Sequence, residues 1–157
     1  MIRTASPADR APILDLAREF DRFGSYGPVF EAMLDGNQGL LGGFGVHGRL
    51  TVHVHEEPSG SCVGFIAVEW VPGIGHIHGV AVTPSSRNRG VASALLDHVA
   101  CVARQDGVRT LDCITAETDN EAALGCFLKH GFRDLGHVGV YPMGQRAVRL
   151  ERNLDMP

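Results

Sequence analysis

The segment most suited to chemistry runs from Val80 to Ser93, Val80-Ala81-Val82-Thr83-Pro84-Ser85-Ser86-Arg87-Asn88-Arg89-Gly90-Val91-Ala92-Ser93. An apolar strand-like run enters a turn, and the turn opens directly into a helical stripe. The first amides of a helix have no backbone partner and sit at the positive end of its dipole, so they suit an anion. Gly90 removes the side chain where such an anion must approach. Small Ala92 and Ser93 keep the next turn clear, and Arg87 and Arg89 add positive potential. A diphosphate-like group is the natural ligand of that arrangement. The segment has neither GxGxxG nor the GK[ST] of a P-loop, which argues against both of those nucleotide readings.

A second group is titratable. His76 and His78 are two apart on a strand and therefore share a face, and Glu69 on the preceding strand is placed to orient one of them. An ordinary imidazole titrates near ~6.5, which suits a general base at neutral pH. The plainer alternative is strand histidines facing solvent or bonded to neighbours. His53-x-His55 also shares a face, which invites a metal reading. The intervening strand would hold the two pairs roughly 9.6 Å apart, and no Cys or Asp completes a familiar ligand spacing, so no metal is expected. His98 and His130 fall on helices and read as surface or helix-end residues, His130 beside Lys129 suiting a C-terminal dipole.

These residues must be carried by a particular order of elements. Ser6-Pro7-Ala8-Asp9 reads as a capped helix start, with Ile13, Leu14, Ala17, Phe20 and Phe23 on one face and Gly24 at its end. A short second helix after Gly27-Pro28 would turn Val29, Phe30, Met33 and Leu34 inward. Residues 36–48 hold six glycines and read as a loop, with room for a short strand between Leu40 and Val46. Strand patterns follow at Leu50–Glu56, Cys62–Val71 and Gly75–Val82, joined by turns at 57–60 and Pro72-Gly73. A helix with the stripe Val91, Leu95, Val99 and Val102 closes at Arg104 and Gly107. Then come a buried strand at Thr110–Ile114, a helix opened by a capping box at Thr118–Glu121 and ended by Gly131, and two strands near Arg133–Tyr141 and Ala147–Leu154. An antiparallel meander followed by a βαβα crossover predicts an α+β fold: a mixed, mostly antiparallel central sheet of six to seven strands, helices on both faces.

The chain of 157 residues suits a single domain over 1–157, and its net charge of −4 is spread without a basic run. Neither a nucleic-acid partner nor a membrane partner is expected. There is no charged leader before an apolar stretch and no run of ~18 apolar residues. Cys62, Cys101, Cys113 and Cys126 lack CxxC spacing and alternate with apolar neighbours, reading as buried free thiols in a cytoplasmic protein.

Beyond these readings, the sequence resembles the GNAT superfamily of N-acetyltransferases. Arg87-x-x-Gly90-x-Ala92 is similar to the pyrophosphate signature Q/R-x-x-G-x-G/A, preceded by Val82-Thr83-Pro84 as V-x-P. Asn120-x-x-Ala123-x-x-x-Phe127-x-Lys129-x-Gly131-Phe132 is similar to the helix N-x-x-A-x-x-x-Y-x-x-x-G-F. Ile2-Arg3 with Asp9 looks like the first strand and helix. The specific motifs cover about residues 75–132. The resemblance implies acetyl-CoA as co-substrate, its pantetheine arm paired to the backbone of Val80, Ala81 and Val82. Amides from Asn88 through Arg89, Gly90, Val91 and Ala92 to Ser93 would hold the pyrophosphate. Asn120 would bond the pantetheine or phosphate region; the local alternative is a helix-start residue satisfying nearby backbone.

The implied reaction transfers an acetyl group to a primary amine of a small molecule, amino acid or peptide N-terminus, by direct attack in a ternary complex. An oxyanion donor would be a strand amide at or near Val82. His76 stands six before Val82, where some family members place a catalytic Glu. One departure matters: the family's usual general-acid tyrosine falls on Phe127, which has no proton to give. Tyr141 is the replacement candidate. The same departure keeps open a non-catalytic acyl-CoA-binding module. Phe20, Phe23, Tyr26, Phe30 and Phe44 are candidates for an apolar acceptor wall, and a homodimer is compatible with the family.

Overall fold

Among the described residues seven strands form one sheet in the order β1-β2-β3-β4-β5-β7-β6. They are β1 (Ile2–Thr4), β2 (Arg49–Glu56), β3 (Cys62–Val71), β4 (Ile74–Val82), β5 (Thr110–Ala116), β6 (Arg133–Val140) and β7 (Arg146–Asn153). The computed structural model describes residues 1–24, 30–31, 34 and 48–155. The glycine-rich segment up to residue 47, Val29 and Met33 of the expected second helix, and Tyr26 and Phe44 of the expected wall lie outside the described residues. Every neighbouring pair is antiparallel except β4 with β5. That parallel step needs a crossover of a dozen or more residues, which α2 (Val91–Gln105) supplies.

β3 lies mid-sheet and is buried along nearly its whole length. On one face Ile13, Leu16 and Ala17 of α1 (Arg10–Ala17) pack with Phe30, Phe65, Ala67 and Ala81. On the other, Val91, Leu95, Leu96 and Val99 of α2 and Phe127 of α3 (Glu121–Lys129) pack on Ile66, Val68, Ile77, Cys113 and Leu150. Each such side chain contributes about 1.5–3 kcal/mol on burial. The fold class expected from the sequence is the fold observed.

Local signals succeed at the first helix and miss at the last. Asp9 accepts from the Ser6 amide at 2.7 Å and Pro7 opens the turn, as a capping box requires. The element then runs 3₁₀ (Pro7–Asp9), α (Arg10–Ala17) and 3₁₀ again (Arg18–Phe23) up to Gly24. The capping box expected at Thr118 does not form. Asn120 is the N-cap, and Glu121 instead accepts from the Asp119 amide at 3.2 Å. The four cysteines are free, but only Cys113 is buried as expected; Cys62 and Cys126 are half-buried and Cys101 on α2 is exposed. His98, expected at the surface, is half-buried and lies 3.2 Å from His53, nitrogen to nitrogen.

Candidate active site

β4 and β5 are in register only from Ile74 opposite Thr110 to Ile77 opposite Cys113. Past that point they part. The cause lies on the other side of β4, where Ala67 stands opposite Gly79 and Val68 opposite Ile77, so His78 has no partner on β3. An extra residue of this kind is a β-bulge, and it bends its strand. The parting strands open a cleft of about 660 Å³.

Val80, Ala81 and Val82 form one wall and Ile114 to Ala116 the other, with Arg87, Asn88, Gly90, Val91, Ala92 and Ser93 at one end. Gly90 is the N-cap of α2, with φ +81°, and a Cβ built there would meet nothing within 4 Å. The first helical bond is from the Ala94 amide to the Gly90 carbonyl at 2.9 Å. Among the described residues no protein group accepts from the amides between Gly90 and Ser93. The helix start is thus an amide-lined cup with an open approach, which fits a diphosphate. Arg87 donates to the Val82 carbonyl at 3.2 Å and is ion-paired to Glu19. Arg89 departs from the expected pattern. Its guanidinium turns to Glu57 at 3.2 Å and only its backbone lies near the cup.

Asn120 also lines the cleft, and it makes no cap bond. It donates to Thr115 Oγ1 at 2.7 Å and accepts from Arg22 at 3.2 Å, linking the far wall to the Arg18–Phe23 segment. Phe20, Phe23, Phe127 and Tyr141 supply apolar lining. Phe127 is 4% exposed and packs edge-on to Phe132, a core position rather than a reactive one. The Tyr141 hydroxyl donates to the Ile114 carbonyl at 3.3 Å on the cleft side of β5. Cys113 and Cys126 reach the cleft too, and burial raises both thiols, so neither is an activated nucleophile.

The two strand histidines meet, but alternation alone does not describe how. Their rings stand 4.6 Å apart, nearly perpendicular, beside the bulge. His78 Nε2 lies 3.1 Å from Glu69 Oε2, and His76 Nδ1 lies 2.7 Å from Asp112 Oδ1. An ionised carboxylate only accepts, so these nitrogens carry the hydrogens, leaving His78 Nδ1 and His76 Nε2 as lone pairs. His78 lines the cleft and its side chain is 13% exposed; His76 lies behind it at 28%. Burial first, then the neighbouring His76, push the His78 imidazole below its ordinary range, with Glu69 pulling the other way. Burial would raise Asp112, but the His76 hydrogen bond and the Arg149 guanidinium outweigh it and hold the carboxyl below the usual range.

Asp112, Arg149, Glu19 and Arg22 are the site residues that sequence reasoning missed. Asp112 alone left a trace, as the one acid inside an apolar run. Among the described residues no group of three or more His, Cys, Asp or Glu is arranged to hold a metal ion. Nor, among them, is any helix long and apolar enough to cross a membrane.

A glycine-started helix beside a sheet that splits between two parallel strands puts an anion site at the end of a cleft. The profile of the acetyltransferase (GNAT) family matches residues 16–132, and the chain belongs to that family. Solved structures agree in fold. The ribosomal-protein-S18-alanine N-acetyltransferase of Escherichia coli superposes with a TM-score of 0.78 at 19% identity, over 100% of this chain and 95% of its own. An N-acetyltransferase from Staphylococcus aureus Mu50 gives 0.73 at 22%, over 98% of both chains. A spermidine N-acetyltransferase chimera from Vibrio cholerae and hSSAT gives 0.72 at 15%, over 99% and 97%. No curated protein matches the chain by sequence.

Proposed function

We propose that the protein is an N-acetyltransferase that moves an acetyl group from acetyl-CoA to a primary amine by direct attack in a ternary complex. The observation that carries this reading is the cup at Gly90, where unpartnered amides face open space at the end of a split sheet. Amides from Asn88 to Ser93 would bind the pyrophosphate. The edge of Val80–Val82, which lacks a β5 partner, would pair with the pantetheine arm as a sheet edge pairs with a peptide. Acetyl-CoA, when bound, supplies an activated thioester carbonyl.

The chain's own groups divide the remaining work. His78 Nδ1 is the base nearest the acceptor, held in its tautomer by Glu69. His76, the other candidate, backs it from outside the cleft. Tyr141 faces the cleft with an exchangeable hydroxyl and replaces the proton donor that Phe127 cannot be. A strand amide near Val82 would hold developing negative charge. Both cysteines being raised supports direct attack over a thiol-linked route. The acceptor class spans small amines, amino acids and peptide N-termini, since the relatives act on amines as different as a protein alanine and spermidine.

Isothermal titration with acetyl-CoA, then thiol release across an amine panel, tests this. Binding plus acceptor-dependent release is expected; no binding at millimolar concentration rejects it. The buried Phe127 favours a second reading, a non-catalytic acyl-CoA-binding module. Thiol release above background with any acceptor eliminates that one.

A further inference from the structure

The cleft base is one end of a charged row that crosses the sheet. Glu69, His76, Asp112 and Glu151 are successive Cα partners on β3, β4, β5 and β7. Arg149 reaches Asp112 Oδ2 at 2.9 Å and Glu151 at 3.8 Å. With both imidazoles neutral, the row holds three carboxylates and one guanidinium, a net negative surrounding that offsets part of the burial penalty on a protonated His78. A second proton would place two imidazolium rings 4.6 Å apart, which their repulsion opposes. The other charged side chains that line the cleft are Glu19 and Arg87, paired with each other, Arg22, bonded to Asn120, Asp119, bonded to Gln145, and Glu121 and Lys129.

An amine acceptor arrives at neutral pH mostly as an ammonium, and it must lose one proton before it can attack. We propose that Asp112 and Arg149, which lie outside the cleft, are positioning residues that set the charge of the His76–His78 pair so that the pair takes up that one proton. The ammonium N–H bond breaks, its electron pair stays on nitrogen, and the proton binds His78 Nδ1. The proton is finally released from His78 Nδ1 to the solvent of the open cleft; His76, whose Nε2 has no protein partner among the described residues, is the more exposed ring of the pair. The proposal rests on the acetyltransferase reading and deepens it, adding two residues on β5 and β7 to the base.

The two residues carry opposite charge, so their removal must act in opposite directions. Because the two rings stand 4.6 Å apart, the first protonation of the pair is the quantity to follow. Asp112→Asn is expected to lower the pH of that step, and Arg149→Gln to raise it, each on the order of one pH unit. Long-range ¹H–¹⁵N spectra of the imidazoles measure this in the free protein. The acid limb of kcat/KM for the best acceptor of the panel must move the same way, with acetyl-CoA affinity unchanged in both variants. Shifts of the same sign, no shift, or imidazole shifts without movement of the acid limb each overturn the proposal. Arg149 is 39% exposed, so its variant should fold even if Asp112→Asn does not, and its upward shift decides the matter alone. A wild type without acceptor-dependent turnover would sink the acetyltransferase reading and with it the proton's source, whereas the imidazole spectra would still judge the charge-setting claim.

Discussion

At Gly90 the backbone has φ +81° and a side chain would enter open space. Gly90→Ala therefore pays only for the left-handed backbone, about 1–2 kcal/mol, while Gly90→Glu adds a carboxylate where the proposed diphosphate would sit. The expected outcome is weakened acetyl-CoA binding for alanine and none measurable for glutamate by calorimetry, with circular dichroism unchanged. Normal affinity in the glutamate variant would contradict the placement. His53 makes a different prediction. It is 7% exposed, its Nε2 has no partner, and burial followed by repulsion from His98 lowers it from 6.5 to about 4. Its folded value lies below its unfolded one, so the stability is whole above pH 6.5 and is lost as pH falls towards about 4. The loss is on the order of 2 kcal/mol, read as a fall in urea midpoint across that window. His53→Leu should flatten the fall. Gly90 and the His76–His78 spacing were legible because each is a local signal. Asp112 and Arg149 were not, because only the order β4-β5-β7 brings them beside His76.

Strands and helices were legible wherever one face is buried along the whole element. Cys62–Val71 reads the same in sequence and structure, and the stripe Val91, Leu95, Val99 lies on the core side of α2. Leu95 is 0% exposed, so Leu95→Ala should cost about 2–5 kcal/mol in a denaturant titration; Val102→Ala, at a half-buried position on the same helix, should cost clearly less. Equal losses would mean that α2 is rotated from the packing described here. The bulge at His78 was not legible. Period-two alternation assumes an unbroken ladder, and nothing within Gly75–Val82 marks the residue that β3 leaves unpaired. Gly79 shows the consequence: beyond the bulge a Cβ there would stand 2.7 Å from the Phe30 ring and 3.1 Å from the Phe20 ring. The start of α3 was misread for a related reason, since Thr118 and Asn120 are both good caps and Asn120 takes the position while its side chain spans the cleft.

For the molecule as a whole, six of the seven strands, their order of types and the helices on both faces followed from hydrophobic pattern, and β1 only from the family resemblance, while the outer pairing of β7 between β5 and β6 did not, because sequence pattern carries no lateral order. The parted strands leave the sheet with a seam inside the protein rather than only at its rims. An open strand border is a liability in most folds, and proteins cover, charge or twist such borders away. Here the border is lined by the Arg18–Phe23 segment, and under the proposed function its guest would be the amide-bearing pantetheine arm. The guest would serve as an eighth strand of two or three rungs. Deuterium uptake should report it: the amides of Val80–Val82 that point away from β3 exchange fast in the free protein and slow sharply with acetyl-CoA, while those of β2 stay as they were. Uniform slowing, or none on β4, would mean that the seam is closed by something other than the arm of CoA.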